Sequence, residues 1–468
     1  MSRILVVGNG PAANRLVQHL HQHGHQGPVT VLAAESRPVH HRPLLTSVLA
    51  GRLDPDALRL PTPPGTRVEH CTATAIDRAG RVVHARRNGV PVTHPYDVLV
   101  LATGARPVIP ALPGTTLPDG RLAPGVTTLR TADDCDRITG GTVAVLGGGP
   151  LGVEAVSALV QRHTPTTLVC AGPQPLHERL GVTCAGLLGE RLEHAGVTVL
   201  RHRTAVRRLP DRLVLDNGAE VPADTLVLCT GAEPDGRLAR AARLRVRTGI
   251  VVDDELRTDD SRIHAIGDCA EHAGRATAGY ESALAQADTL AAVLTGREVR
   301  HRPARPILRL RTHAADLCSA GSPAALDDPG VRTVVLVDRA GRRYARLGLR
   351  DDRIVAAVVL GLPEAVAAVS HLYQRAQPVP SDRLRLLLGI RSEPPSADTR
   401  AHPDTVVCRC NNVPRRRLAE AWRTGARTPP ALAKATRATT GCGDCSGQVE
   451  ELCAHWAHAA EREPEPIS

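Results

Sequence analysis

The chain has 468 residues, of which 42% are hydrophobic and 23% are charged, so its length predicts several globular domains rather than one. Its formal net charge is +10, but the basic residues are scattered among acidic ones, which argues against nucleic-acid binding. No apolar run reaches the roughly 18 residues of a membrane span and no secretion leader is visible, so we expect no membrane partner and a cytoplasmic location.

The first predicted element is a short apolar strand over residues 4–7, which turns directly into the segment Gly8-Asn9-Gly10-Pro11-Ala12-Ala13. This segment has the pattern G-x-G-x-x-A. Gly8 makes the tight turn, Gly10 lets the backbone approach a pyrophosphate, and the small Ala13 brings a helix close to the strand. The spacing therefore predicts a dinucleotide-binding turn at the start of the chain.

The elements after this turn complete the pattern of a dinucleotide site. A helix is predicted over residues 14–22, and its N-terminal amides would face the phosphates. A second strand, residues 29–32, ends just before Glu35, which is placed to hydrogen-bond ribose hydroxyls.

The same arrangement recurs in the middle of the chain. A strand over residues 143–146 is followed by Gly147, Gly149 and Gly152 in the spacing G-x-G-x-x-G, and then by a helical run from Val153. A single glycine motif is weak support, but two motifs that each follow a strand predict two nucleotide sites.

Two further kinds of motif accompany the glycine turns. Leu-Ala-Thr-Gly at residues 101–104, which includes Thr103 and Gly104, follows a predicted strand and is echoed by Leu-Cys-Thr-Gly ending at Gly231. Ile-His-Ala-Ile-Gly-Asp ends at Asp268. Taken alone, each is equally explained by a strand-end turn or a helix cap.

With these motifs in this order, residues 1 to 390 resemble the flavoprotein family with two dinucleotide-binding domains. The resemblance implies FAD at the first site and NAD(P)H at the second. It places Asp268 against the flavin chain, Glu154 near the nicotinamide, and the N-terminus of a helix over residues 278–294 under the flavin ring. No side chain is expected to act as a nucleophile, so no catalytic residue is predicted beyond the possible nicotinamide contact of Glu154.

The cysteines distinguish this chain from disulfide reductases of that fold, because no redox cysteine pair lies near either glycine motif. A reducing cytosol disfavours disulfides, so the dispersed cysteines are predicted to be buried thiols. These seven are Cys71, Cys135, Cys170, Cys184, Cys229, Cys269 and Cys318.

Several segments instead resemble assimilatory nitrite reductase large subunits and nitrate reductase electron-transfer subunits. They are Arg42 to Gly51, residues 317–321 and residues 349–357. By this resemblance Arg42 joins the FAD-binding residues, and the last two segments belong to a third, flavin-flanking domain of α+β type.

The choice between NADH and NADPH stays open in the sequence. Where an acid would select NADH after the strand at residues 166–169, the chain has Cys170, and His177 and Arg179 could instead meet a 2′-phosphate. Glu233 also stands where the family usually has arginine.

Four cysteines near the C-terminus are spaced like metal ligands. Cys408 and Cys410 form one close pair, and Cys442 and Cys445 form another. Four thiolates suit a tetrahedral zinc or a [2Fe-2S] cluster, although Cys-x-Cys is tighter than the usual zinc spacing. The segment closely resembles the [2Fe-2S] domain related to the bacterioferritin-associated ferredoxin, with short helices over residues 418–424 and 430–436 and Cys453 as a helix residue rather than a ligand.

The cluster segment is strongly basic. Eight basic and two acidic residues lie between Cys408 and Cys445. This charge can offset an anionic cluster or steer an acidic partner, although a merely solvated helix face explains it as well.

The predicted architecture is α/β, with two Rossmann-like domains, a small α+β domain and a small helical [2Fe-2S] domain. The boundaries are 1–111 with 246–305 for FAD, 112–245 for NAD(P)H, 306–390 for the α+β domain, 391–404 for a linker, 405–455 for the cluster domain and 456–468 for a tail.

The leading functional hypothesis is an FAD-dependent NAD(P)H oxidoreductase that passes electrons through a [2Fe-2S] cluster to a separate assimilatory nitrate or nitrite reductase. Only Cys453 follows Cys445, so we expect no sirohaem site and no nitrite reduction in this polypeptide. Two alternatives remain: a stand-alone NAD(P)H:ferredoxin-type reductase, and a zinc-stapled nucleotide-binding scaffold that senses redox state. The final acceptor and the oligomeric state are not predicted.

Overall fold

The structure is a computed structural model that describes residues 2–138, 140–276, 279–389, 403–408, 413–439 and 445–462. Within these residues no helix is both long enough and apolar enough to span a membrane. The cytoplasmic location stays a prediction.

The first 107 residues contain one parallel sheet and one antiparallel sheet. Their elements are β1 (Ile4–Val7), α1 (Pro11–Gln22), β2 (Val29–Ala33), α2 (Leu45–Leu49), β3 (Thr66–His70), β4 (Thr72–Asp77), β5 (Val82–Arg87), β6 (Val90–Pro95), β7 (Val98–Leu101) and β8 (Ala105–Pro107).

The second nucleotide unit follows directly in the chain. Its elements are β9 (Val126–Thr127), α3 (Ala132–Arg137), β10 (Val143–Leu146), α4 (Pro150–Leu159), β11 (Thr166–Val169), α5 (His177–His194), β12 (Val197–Leu200), β13 (Ala205–Leu209), β14 (Arg212–Leu215), β15 (Glu220–Pro222), β16 (Thr225–Leu228) and β17 (Ala232–Pro234).

The chain then returns to the first unit and completes its sheet. This segment holds α6 (Arg237–Ala241), β18 (Ile250–Val252), β19 (Ile263–Ala265), β20 (Ala270–His272) and α7 (Tyr280–Leu294).

Two smaller units end the chain. The first comprises β21 (Ile307–Arg311), β22 (Asp316–Ala320), β23 (Arg332–Asp338), β24 (Arg343–Arg350), β25 (Arg353–Leu360), α8 (Pro363–Gln374) and α9 (Arg383–Leu387). The second comprises β26 (Val406–Cys408), β27 (Val413–Pro414), α10 (Arg415–Arg423), α11 (Pro429–Thr436) and α12 (Ser446–Arg462).

The two large sheets are parallel, with orders β19-β7-β1-β2-β3 and β12-β11-β10-β16-β9. The central strands of both sheets are buried, as expected for parallel strands covered on both faces. The third unit is a five-stranded antiparallel sheet, β21-β22-β25-β24-β23, with α8 packed on it. The predicted fold class is thereby confirmed, whereas the domain boundaries stay predictions.

Two helices begin three residues earlier than the hydrophobic patterns predict. Helix α1 begins at Pro11 rather than at residue 14, and α4 begins at Pro150 rather than at residue 153. Proline suits the first helical position because its φ angle is already helical and no amide is needed there. The amide ends of both helices therefore lie directly against the glycine turns.

The last helix runs past residue 455, where a tail was expected, as far as Arg462. Trp456 packs against Trp422 with ring centroids 5.6 Å apart, and this contact extends the core of the small C-terminal unit. The predicted helix start at Ala278 lies outside the described residues, and α7 is described from Tyr280.

Candidate functional site

The first glycine turn lies at the carboxyl ends of three neighbouring strands. Gly8 follows β1, residues 102–104 follow β7, and Gly267 and Asp268 follow β19. Ligands of open parallel sheets bind at this edge, so the sheet order brings the three motifs together.

The packing explains which residue types the turn needs. Gly8 has φ +106°, and a Cβ there would lie 2.2 Å from the carbonyl oxygen of Ala102. Nothing lies within 4 Å of a Cβ added at Gly10, so this position opens toward the site. Ala13 is fully buried between helix and sheet. The packing therefore requires glycine at position 8, while the approach of a pyrophosphate to Gly10 stays a prediction.

A cavity of about 1120 Å³ opens above this turn. It exceeds the 300–1,000 Å³ usual for small-ligand pockets, as a dinucleotide requires. Seven of the predicted FAD-binding residues line it, namely Gly8, Gly10, Glu35, Arg42, Thr103, Gly104 and Asp268, whereas Ala13 lies beneath it. The size of the cavity and its open glycine turn fit FAD.

Charged side chains alternate in sign around this cavity. Arg42 donates a hydrogen bond to the Glu35 carboxylate, and its other terminal nitrogen donates to the carbonyl oxygen of Arg130 at 2.8 Å. The Arg130 guanidinium lies 3.8 Å from the Asp268 carboxylate, and burial lowers the pKa of Arg130. Two guanidinium groups thus line the same cavity as the first glycine turn.

Arg130 is a site residue that no sequence motif reveals. It lies in the loop between β9 and α3, about 120 residues after the first glycine turn. Only the packing of the second nucleotide unit against the first brings it to the cavity.

Thr103 and Gly104 join the two nucleotide units. The Thr103 hydroxyl donates to the carbonyl oxygen of Asp235 at 2.6 Å, and the Asp235 amide donates to the Gly104 carbonyl oxygen at 2.9 Å. Beside them β8 pairs with β17, and Arg106 forms an ion pair with Glu233. Glu233, where the family usually has arginine, is thus paired across this junction.

The second glycine turn has the same close packing. A Cβ at Gly147, with φ +120°, would lie 2.4 Å from the carbonyl oxygen of Cys229. A Cβ at Gly152 would lie 1.9 Å from the Gly147 carbonyl oxygen. Gly149 and Gly231 have nothing within 4 Å of an added Cβ, which leaves both open for a ligand.

The FAD cavity extends to the second turn through the first residues of α4. Leu151 and Glu154 line it, whereas Gly147, Gly149, Gly152 and Gly231 do not. Burial raises the pKa of Glu154 to about 7. A carboxyl group whose pKa burial raises to about 7 therefore lines the part of the cavity that reaches α4.

The position expected to select NADH carries a buried thiol. Cys170 is 1% exposed, burial raises its pKa to about 11, and its Sγ lies behind Gly148. The His177 Nδ1 atom lies 3.2 Å from the Gln174 carbonyl oxygen, and Arg179 is exposed on α5. No acid follows β11, so the choice between NADH and NADPH stays open.

All ten cysteines of the described residues are buried, and the seven dispersed ones form no disulfide. The prediction that the seven dispersed cysteines are buried thiols is therefore confirmed. Cys71 lines the FAD cavity, but burial raises its pKa, which disfavours a reactive thiolate.

Two of the four predicted cluster ligands lie in the described residues. Cys408, at the end of β26, and Cys445, before α12, are both buried in the core of the C-terminal unit. The Thr439 amide donates to the Cys445 sulfur at 3.2 Å, which suits a sulfur that carries thiolate charge. Cys410 and Cys442 lie outside the described residues.

No group of three metal-ligating side chains occurs among the residues that the structure describes. The two described cysteines nevertheless fit a cluster, since both are buried and one accepts an amide hydrogen bond. Cys453 lies within α12 and packs in the same core, as predicted for a helix residue.

The C-terminal unit contacts the rim of the FAD cavity at two points. Arg437 donates a hydrogen bond to the carbonyl oxygen of Ala57 at 3.1 Å and lies near Tyr280, which lines the cavity. Arg311 lies 3.4 Å from the Ser446 hydroxyl, at the end of the strand whose preceding residues line the cavity. These contacts flank the segment that holds Cys442 and Cys445.

Tyr280 links this contact to the cavity wall. Its hydroxyl lies 3.2 Å from the His41 Nε2 atom, and the two rings are tilted with centroids 5.1 Å apart. Like Arg130, Tyr280, His41 and Arg437 belong to no recognised motif.

Three family models match the chain. The model described as pyridine nucleotide-disulphide oxidoreductase matches residues 2–287, and the rubredoxin NAD+ reductase C-terminal domain matches residues 306–372. The BFD-like [2Fe-2S] binding domain matches residues 406–455.

Curated relatives resemble nearly the whole chain. A nitrite reductase [NAD(P)H] of Bacillus subtilis (strain 168) is 27% identical over 97% of this chain and 57% of its own length. An assimilatory nitrate reductase electron transfer subunit of the same strain is 26% identical over 99% of this chain and 61% of its own length. The predicted resemblance is confirmed, and the chain spans little more than half the length of these relatives.

A solved structure shares the fold. The putidaredoxin reductase–putidaredoxin covalent complex matches 86% of this chain and 99% of its own, with a TM-score of 0.72 and 25% identity.

Proposed function

The chain belongs to the pyridine nucleotide-disulphide oxidoreductase family, and we propose that it oxidises NAD(P)H to supply electrons to a separate assimilatory nitrate or nitrite reductase. Its cofactors are FAD, NAD(P)H and a [2Fe-2S] cluster, as the matched family models indicate. When bound, FAD accepts an electron pair from NAD(P)H and releases electrons one at a time. The proposed route runs from the FAD cavity to the C-terminal unit.

The observation that carries this proposal is the position of the C-terminal unit at the cavity rim. Arg437 and Ser446, on either side of the Cys442–Cys445 segment, contact Ala57 and Arg311 of the FAD side. Cys445, a predicted cluster ligand, is therefore held next to a contact with the FAD side. A unit with an unrelated structural role would not need this placement.

The residues of the cavity have separate parts in the proposed reaction. The two glycine turns present helix N-termini to pyrophosphate groups, and Arg42 and Arg130 supply positive charge there. Glu154 lies where nicotinamide would approach the flavin, and its raised pKa leaves it able to carry a proton near pH 7.

An anaerobic titration with NADH and with NADPH tests the proposal. Visible spectra follow the flavin and EPR spectra follow the cluster in the same sample. We expect one of the two nucleotides to reduce first the flavin and then the cluster. Nitrite or nitrate should be reduced only when a catalytic reductase is added. Protein that contains zinc but no iron, or a flavin that is reduced while the cluster stays oxidised, would contradict the proposal.

A stand-alone ferredoxin-type reductase is the second candidate, and it is favoured by the match to the putidaredoxin reductase complex. Such a protein would pass electrons from flavin directly to a soluble carrier. Deletion of residues 405–468 separates the two candidates: unchanged turnover with the physiological acceptor supports the second, and loss of turnover with intact flavin reduction supports the first.

A further inference from the structure

Helix α10 of the C-terminal unit carries an exposed arginine face. Its buried side consists of Leu418, Ala421 and Trp422. Three of its four arginines, Arg416, Arg417 and Arg423, are exposed, and Arg427, just beyond the helix, is exposed as well. We call these four exposed arginines the α10 basic face.

The four arginines outnumber the two acidic residues beside them, Asp404 and the exposed Glu420 of the same helix. Arg416 forms an ion pair with Asp404, but neither Arg417 nor Arg423 has an ion-pair partner within the described residues. Arg427 lies over the Trp422 ring, with its guanidinium carbon 5.3 Å from the ring centroid. Like charges on one surface repel each other, so an anionic partner would bind here favourably.

The α10 basic face lies close to the first cysteine pair. Cys408 pairs with Val413, and two residues later α10 begins. The Arg415 amide donates to the Thr405 carbonyl oxygen at 2.9 Å, and Thr405 precedes Cys408 by three residues, or about 10 Å of extended strand. This hydrogen bond thus joins the first turn of α10 to the segment that leads to Cys408.

Cys445, the described member of the other cysteine pair, lies next to a contact with the FAD side. The two flanks of that pair, Arg437 and Ser446, contact the rim of the FAD cavity. On that face of the C-terminal unit, the FAD side of the chain would therefore obstruct an external protein. Within the described ranges the α10 basic face has no such cover, since its four arginines are exposed.

We propose that the α10 basic face is the docking surface for an electron-accepting protein with an acidic surface, so that electrons enter the cluster unit at the Cys442–Cys445 side and leave at the Cys408 side. This inference rests on the proposed function and specifies its partner. Oxidation of one NAD(P)H gives NAD(P)⁺, one proton and two electrons. The two electrons reduce two one-electron acceptors.

The test uses the full-length holoprotein and two haem proteins of opposite surface charge, acidic cytochrome b5 and basic cytochrome c. The double variant R417E/R423E reverses two charges on the α10 basic face. Lys434, the one lysine of the chain, is exposed on α11, so K434E is a matched control in the same unit. Iron content and thermal unfolding confirm that each protein is folded and loaded.

We expect R417E/R423E to lower the second-order rate of cytochrome b5 reduction about tenfold at low ionic strength, an effect that vanishes at about 0.5 M salt. Cytochrome c reduction should become faster, while reduction of flavin and cluster by NAD(P)H should not change. K434E should change the cytochrome b5 rate by less than about twofold.

Equal changes with both haem proteins, or an effect of K434E as large as that of the double variant, would overturn the docking surface. The docking surface would also be overturned if the double variant kept its cytochrome b5 rate but lost binding to duplex DNA or to phosphatidylglycerol vesicles. The face would then bind a polyanion. A cluster that NAD(P)H cannot reduce in the unmodified protein would instead refute the proposed function itself.

Discussion

Arg437 donates a hydrogen bond of 3.1 Å to the backbone carbonyl oxygen of Ala57, a residue 380 positions earlier in the chain. Arg437 is held in the left-handed region, with φ +66°, at the C-terminal end of α11. Burial lowers its pKa and the nearby Tyr280 opposes that shift. This contact fastens the C-terminal unit to the FAD side of the molecule.

Substitution of Arg437 by alanine should weaken this docking. The loss of one charge-assisted hydrogen bond at a half-exposed site is expected to cost about 1 kcal/mol, or about fivefold in the docked population. Stopped-flow absorbance should show cluster reduction slowed about fivefold with flavin reduction by NAD(P)H unchanged. K434A is the control, and an equal slowing in K434A would show that charge alone, rather than this contact, is responsible.

The glycines of the second turn should respond differently to alanine. Gly152→Ala places a Cβ 1.9 Å from the Gly147 carbonyl oxygen, so we expect a loss of about 2 kcal/mol or more in stability. Gly149→Ala meets nothing within 4 Å, so the protein should fold normally with unchanged FAD content. Its KM for NAD(P)H should nevertheless rise about tenfold, because a methyl group occupies the approach of the pyrophosphate.

Thermal unfolding and steady-state kinetics distinguish these two variants. If Gly149→Ala bound NAD(P)H as well as the unmodified protein, the second glycine turn would not be the nucleotide site.

Glu154 should make stability depend on pH. Burial raises its pKa from 4.5 to about 7, so the folded protein disfavours the ionised form. The resulting destabilisation is absent below about pH 4.5, grows as the pH rises toward 7, and is constant above 7. Glu154→Gln should therefore be more stable than the unmodified protein at pH 8, by no more than about 3 kcal/mol, and equally stable near pH 4.5.

Urea unfolding across this pH range measures the difference. Glu178 is exposed near the start of α5, so Glu178→Gln is a control that removes a glutamate outside the cavity. A Glu154→Gln advantage that is the same at every pH would contradict the raised pKa.

Substitutions of Cys445 and Cys453 should differ in their effect on iron. Cys445→Ser should lose most of the bound iron and acid-labile sulfide, because it removes a proposed cluster ligand. Cys453→Ser should retain both, since Cys453 lies in α12 and packs in the core. Iron analysis and EPR spectra measure both outcomes, and loss of iron from Cys453→Ser alone would require a different ligand set.

The sequence indicated the local features of the site because those features depend on neighbouring residues. A glycine turn needs its strand, its small residues and its helix within a short stretch, so Gly8, Gly10 and Ala13 could be recognised from spacing alone. The starts of α1 and α4 were harder, since Pro11 and Pro150 fit a helix start as well as a loop.

Residues that reach the site from distant parts of the chain could not be recognised in this way. Arg130 comes to the FAD cavity from the second nucleotide unit, and Tyr280 and His41 meet across 239 positions. Nothing in the local sequence of Arg130 differs from that of an exposed loop arginine. Its role depends on how the two nucleotide units pack.

The sequence by itself determined the class of the protein: two nucleotide turns, a third unit of α+β type and a C-terminal unit with paired cysteines. Only the tertiary structure decided that Arg437 and Ser446 meet the rim of the FAD cavity, and that Glu154 is buried enough to titrate near pH 7. The physical reason is the range of the interactions. Turns and strands follow from backbone sterics over a few residues, whereas docking and desolvation depend on surfaces brought together from across the whole chain.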